Sequence, residues 1–167
     1  MSAFEELIDA VVDEEVDRVS ELISTCDNVN QTTDDDEWNL LHFALQGVVG
    51  GADASLVQLL ISSGVDVEAA DRLGWTPLHF AVRNGCSACV SALINAGASL
   101  NVVDSRGISP LHRLLVSNVQ RLDLVRLLLE AGAKPDFGSK GTSARKYAEA
   151  VCSPEMESIR ELFSHTE

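Results

Sequence analysis

Two stretches of this chain repeat each other at a fixed distance. Asp71-Arg-Leu-Gly-Trp-Thr-Pro-Leu-His-Phe-Ala81 returns as Asp104-Ser-Arg-Gly-Ile-Ser-Pro-Leu-His-Arg-Leu114. Asp71 and Asp104, Gly74 and Gly107, Pro77 and Pro110, and His79 and His112 are each 33 residues apart. A second block follows each copy. Val90, Leu93, Ile94, Gly97 and Ala98 come back as Val125, Leu128, Leu129, Gly132 and Ala133, at an offset of 35 because two residues are inserted. A period of this size constrains the fold more than any other feature of the chain. Each copy is one small unit that cannot bury its apolar face alone, so neighbours must stack to bury it.

The period extends both ways. Trp38-Asn-Leu-Leu-His-Phe-Ala44 matches Trp75 to Ala81, with Val57, Leu60, Ile61 and Gly64 as its second block and four extra residues within Gly47–Ala54. Ala10, Val19, Leu22, Ile23 and Asn30 keep the spacing of Ala81, Val90, Leu93, Ile94 and Asn101. Gly141 to Ala148 reproduces Gly74 to Ala81, and Ile159, Leu162 and Phe163 close the last block. The run Thr76-Pro-Leu-His-Phe-Ala81, joined to the 33-residue period, resembles the ankyrin repeat. The resemblance implies an all-α ankyrin-repeat solenoid: stacked helix-turn-helix units with projecting β-turn fingers. It covers 1–167 as one domain of five units, at about 1–33, 34–70, 71–103, 104–138 and 139–163, with 164–167 as a tail. The outer two units are degenerate, which suits ends that lack a neighbour on one side.

Local chemistry agrees with paired helices. Thr76 suits the cap of a first helix and Pro77 its first position, where a missing N–H costs nothing. Asn39 and Ser109 keep a capping side chain, but Leu40 replaces the proline, so that helix start is expected to be less fixed. Val90, Leu93 and Ile94 form an i, i+3, i+4 stripe, ended by Gly97. Leu114 stands where Ala44, Ala81 and Ala148 keep helices close, and asks for a small residue opposite it. The Gly-rich insertion within Gly47–Ala54 is expected to be the most mobile internal segment.

Charge narrows the function. The chain carries 26 acids against 12 Lys and Arg, a formal −14. Residues 1–37 hold 13 acids and one base, Arg18, for a net −12. Residues 38–103 hold 4 acids and 2 bases, and residues 104–167 hold 9 of each. Nucleic acid is a poor partner for such a chain, because phosphates must be neutralised by clustered bases. No apolar run reaches the roughly 18 residues a membrane span needs, and the acidic start lacks the basic region of a secretory leader. A cytoplasmic chain with reduced cysteines, monomeric when free, is the expectation, with the nucleus not excluded.

No catalytic constellation is present, and no cofactor or metal is expected. His42, His79 and His112 recur at one repeat position. A metal or acid–base row is the sharper reading; the resemblance implies instead that each ring bonds within its own turn and to the next unit's backbone. Cys86-Ser-Ala-Cys89 could be a redox dithiol or half a zinc site. Without a second pair or a convergent histidine pair, the reading preferred is two packed thiols. Asp34 to Glu37 could hold a hard cation weakly, but they lack the calcium-loop pattern, and a solvated turn explains them better.

Function is therefore expected on the surface that stacking creates. By resemblance, fingers and the exposed side of first helices bind a partner protein. This places Asp35, Asp36, Trp38, Gln46, Arg72, Leu73, Trp75, Arg83, Asn84, Arg106 and Ile108 on the face, beside Ser105 and Val116. Trp38, Trp75 and Ile108 share one repeat position, either as an exposed anchor row or as packing between fingers. The N-terminal acids would steer a basic segment. The expectation is a non-enzymatic adaptor that binds a basic plus apolar segment of a partner protein, with an apolar anchor on the Trp38/Trp75 row. The alternatives are a dedicated chaperone or inhibitor of a basic client, such as a ribosomal protein or histone, and a regulatory subunit of an enzyme. Asn30 and Asn101 also resemble the asparagines that are hydroxylated in ankyrin proteins.

Overall fold

The computed structural model describes residues 2–47, 52–117, 121–139 and 141–165. Over these residues the chain forms ten helices and no strand. They are α1 (Ala3–Val12), α2 (Val16–Thr25), α3 (Leu40–Leu45), α4 (Ala54–Ser62), α5 (Pro77–Asn84), α6 (Ser87–Asn95), α7 (Pro110–Val116), α8 (Leu122–Glu130), α9 (Ala144–Ala150) and α10 (Pro154–Ser164). Consecutive helices pair, and the odd-numbered helices stack on one another from α1 to α9. Behind them α2 packs on α4, α4 on α6, and α8 on α10. This is the solenoid the repeat implies. Most of the Gly47–Ala54 insertion, whose mobility the sequence suggests, falls at 48–51, outside the described residues.

The apolar stripe of each helix supplies one continuous core. Leu41, Leu78 and Leu111 of the first helices are buried, as are Val57, Val90 and Val125 with Leu60, Leu93 and Leu128 of the second. Leu114 is also sealed, and the same repeat position on the two neighbouring first helices holds Ala81 and Ala148, both buried. Those alanines are the small residues that Leu114 requires along the stack. The helix start at Leu40 is held without proline: Asn39 Oδ1 accepts the Leu41 and His42 N–H groups, and its Nδ2 donates to the Asp66 carbonyl at 2.8 Å.

Fingers project from the start of each first helix and are joined by single backbone hydrogen bonds. Arg72 N–H donates to Asp36 O at 3.0 Å, Ser105 N–H to Leu73 O at 2.8 Å, and Ser139 N–H to Gly107 O at 3.2 Å. Asp71 Oδ1 closes its finger by accepting from Leu73 and Trp75 N–H, and Asp104 Oδ1 does the same for Arg106 and Ile108. In unit two the Thr33 hydroxyl takes this place, accepting only from Trp38 N–H. Gly74 has φ 77°, and a Cβ there would stand 3.2 Å from the backbone of Asp104, so a side chain would be strained and would push the next finger back by a few tenths of an ångström.

His42 and His79 serve the framework. Nδ1 of each accepts the N–H of its helix cap, Asn39 or Thr76, and Nε2 donates to the next finger, at Trp75 O or Ile108 O, both at 3.1 Å. His112 departs from this pattern. It leans on the Tyr147 ring, and its buried Nδ1 has no hydrogen-bond partner among the described residues. The Cys86–Cys89 pair also differs from the reading as free thiols: the two sulfur atoms are joined as a disulfide across the first turn of α6. Cys86 caps that helix, and the turn folds it back over Cys89. Cys26 and Cys152 are free.

Candidate functional site

The fingers and first helices of units two to four place the sequence-derived residues in three environments. Asp35, Asp36, Gln46, Arg72, Leu73, Ser105 and Arg106 are exposed. Trp38, Trp75, Arg83, Ile108 and Val116 are half-buried. Asn84 is buried, and its Nδ2 donates to the Leu45 carbonyl across the helix stack, so it is a framework group and cannot meet a partner. Its position at the end of α5 suggested exposure; the end of α3, packed on α5, covers it instead.

The tryptophan row resolves towards packing. Phe80 is wedged between the two indoles, edge-on to Trp38 at 5.5 Å and to Trp75 at 5.2 Å between ring centroids. Phe43 adds a second edge contact to Trp38 at 5.3 Å. Arg113 lies over Trp75, with Cζ 4.2 Å from the ring centroid. The exposed apolar side chain of this face is instead Leu73, at 59% exposure on the finger tip.

Arg113 was not visible as a site residue. It occupies the position of Phe43 and Phe80, directly after the repeated histidine, and that break in the pattern was its one signal. Its Nη2 donates to Asp104 Oδ2 at 2.6 Å, with both side chains buried. Burial alone would raise the Asp104 carboxyl; the N–H groups of Ile108 and Arg106 and the Arg113 guanidinium outweigh it and hold the group below its ordinary range. Arg83 lies near the same rings, 4.9 Å from the Phe80 centroid and 5.5 Å from that of Trp75. Burial, then the neighbouring Arg113 charge, lowers its affinity for the proton.

At the other end, the finger of unit two meets α1 in a cleft of about 270 Å³. Phe4 and Ile8 form its apolar floor, while Glu5, Asp34 and Asp35 line its rim. The Ser2 N–H bonds to Glu5 at 2.6 Å and holds that carboxyl below its usual range, so it stays ionised. Glu5 is one of the N-terminal acids expected to steer a basic segment; Phe4 and Ile8 escaped the sequence reading, because only the stacking of α1 on α3 brings them to a finger some 30 residues away. Of the 13 acids in residues 1–37, all but Glu6 are exposed, and among the described residues Glu15 alone forms an ion pair, with Arg18 at 2.8 Å.

Asn30 and Asn101 each bridge to the following unit. Asn30 Nδ2 donates to Gly64 O and its Oδ1 accepts from Asp66 N–H; Asn101 does the same with Gly132 O and Lys134 N–H. Among the described residues no three His, Cys, Asp or Glu side chains converge as a metal site, and no helix is long and apolar enough to cross a membrane.

A stack of helix pairs with a row of fingers defines a class of repeat protein whose working surface is the array itself. The chain belongs to the ankyrin repeat family: residues 48–139 match the family described as ankyrin repeats (3 copies). It is also 53% identical over 38 residues to a protein of Pyrobaculum aerophilum named as an ankyrin repeat protein. That match covers 23% of this chain and 15% of the relative, so the likeness is to one repeat's length of a much longer protein. Ankyrin repeats mediate protein–protein interaction, and proteins built from them are typically interaction modules without enzymatic activity.

Proposed function

We propose that this chain is a non-enzymatic adaptor that holds a segment of a partner protein across the fingers and first helices of units two to four. A basic part of the segment lies in the cleft rimmed by Glu5, Asp34 and Asp35. The observation that supports this is the acidic end: 13 acids against one base in residues 1–37, nearly all exposed, with one ion pair among the described residues. A lysine or arginine entering the cleft sets its aliphatic stem on Ile8 and its charge among three carboxylates, an arrangement amphipathic side chains favour. The field of the remaining acids draws such a segment in and speeds encounter. Asp35, Asp36, Arg72, Leu73 and Arg106 are the contact residues, with Gln46, Arg83 and Ile108 behind them and Trp38 and Trp75 as the packed floor.

The experiment is a double charge reversal, Asp35→Lys with Asp36→Lys, both on an exposed finger tip. Capture of partners from source cells should fall while helicity and melting stay unchanged. Retention of the same partners at wild-type strength would place the contact elsewhere. A narrower reading, a chaperone or inhibitor shielding a basic client, is favoured by the same acids and requires that binding weaken steeply with added salt. Asn30 and Asn101 are proposed as hydroxylation targets, checked by intact mass for an added oxygen.

A further inference from the structure

Resting on that reading, we propose that the bound segment is bipolar: an acidic side chain, four or five residues from its basic end, docks on Arg83. The fingers and first helices of units three and four carry Arg72, Arg83, Arg106 and Arg113 against Asp71 and Asp104, a local excess of two positive charges in a chain of net −14. Both acids are buried beneath the fingers, where they bind backbone N–H groups. Asp104 is also committed to Arg113. That leaves a basic surface beside an acidic one on the same face.

Arg83 is the group built to receive a carboxylate. Its Nε donates to Asn84 Oδ1 at 3.1 Å and its Nη2 to Gln46 O at 3.3 Å, which fixes the guanidinium plane near Phe80 and Trp75. It has no carboxylate partner, and its Nη1 makes no hydrogen bond among the described residues. A planar, pre-oriented guanidinium with a free edge matches the fork of an Asp or Glu side chain. Arg72, exposed on the finger of the same unit with its guanidinium donating to the Asp34 carbonyl, flanks the path from the acidic cleft. Exposed Leu73 beside it offers an apolar rest for the intervening residues.

The separation sets the spacing. Adjacent first helices pack at about 8–10 Å and Arg83 stands about 9 Å along α5 from its finger end, so the cleft between units one and two lies about 15–17 Å from Arg83 in unit three. Extended chain advances about 3.3 Å per residue, which gives four or five residues between the two charged ends.

Three fluorescein-labelled peptides test this with the full chain by anisotropy at low salt. One has four lysines, a four-residue Gly-Ser spacer and four glutamates; in the second glutamines replace the glutamates; in the third they replace the lysines. The lysine–glutamate peptide should bind about fivefold tighter than the lysine–glutamine peptide, the scale of a solvent-accessible ion pair. Arg83→Gln should erase that gain, so that the lysine–glutamate and lysine–glutamine peptides bind the variant with equal affinity. Arg83→Lys should keep part of it, which a mere loss of packing would not do. Glutamates that add nothing, or a gain that survives Arg83→Gln, overturn the proposal. The lysine–glutamine peptide reports on the acidic cleft alone: if it binds wild type but not Asp35→Lys with Asp36→Lys, the adaptor reading stands even when the bipolar one falls. If none of the three binds, both fall.

Discussion

Glu37 stands where the other fingers carry Gly74 and Gly107, and it is held at φ 60°, in the left-handed region. A side chain there costs about 1 kcal/mol relative to glycine. Glu37→Gly is therefore expected to stabilise the chain by about that amount and to raise Tm by about 2–4 °C, readable in a thermal melt. A second residue-scale effect concerns His79. Burial lowers its pKa to about 4 from the ordinary 6.5, so the ring is neutral in the folded chain. Its contribution is fully present above pH 6.5 and is lost as pH falls towards 4, because the unfolded chain takes up the proton first. Between pH 7.5 and pH 5 this amounts to about 2 kcal/mol. Urea melts at those two pH values should show a shallower loss for His79→Gln than for wild type. His42 and His112 are shifted in the same direction by burial.

At the scale of the element, the fingers of units three and four have the same backbone and different energetics. Asp71 closes its finger with two N–H bonds, whereas Asp104 closes an equivalent one and also neutralises buried Arg113. Asp71→Ala should cost about 1–3 kcal/mol, and Asp104→Ala about 3–5 kcal/mol, because the latter leaves a buried guanidinium unpaired. Arg113→Phe, the residue of the two preceding units, should recover about 2 kcal/mol of the Asp104→Ala loss in chemical denaturation, the part due to the unpaired guanidinium, and leave a cost like that of Asp71→Ala. The helix pairs, their caps and the glycine turns were legible in the sequence because each follows from local rules repeated at a fixed period. The roles of Asn84 and Trp75 were not, because the repeat position identifies a residue's place in its unit and not what the next unit lays over it. Trp75 shows the consequence: beneath Arg113 and against Phe80, Trp75→Ala must lower stability, so it cannot serve as a pure binding probe. Leu73→Ala can, since its side chain is mostly in solvent. The Cys86–Cys89 bond was missed for a related reason: a spacing of three is equally compatible with packed thiols, and only the turn at the start of α6 brings the sulfurs together.

Over the whole molecule, charge is arranged along the stack. The −12 of residues 1–37 gathers on the first helix pair and the second finger, and the arginines of units three and four gather on the neighbouring fingers and first helices. The apolar core runs beneath both without interruption. Such an arrangement steers and orients a partner without adding to the stability of the fold, so surface charge reversal should change encounter rate and salt dependence more than melting. On the proposed reading, a partner segment lies on this face with its basic end at the acidic cleft. Side-by-side capture from source cells by wild type and by Asp35→Lys with Asp36→Lys, at low and high salt and read by mass spectrometry, tests it most directly. Proteins should be retained by wild type at low salt, released by added salt and lost in the variant at unchanged melting temperature. The same proteins held equally by both chains would contradict it.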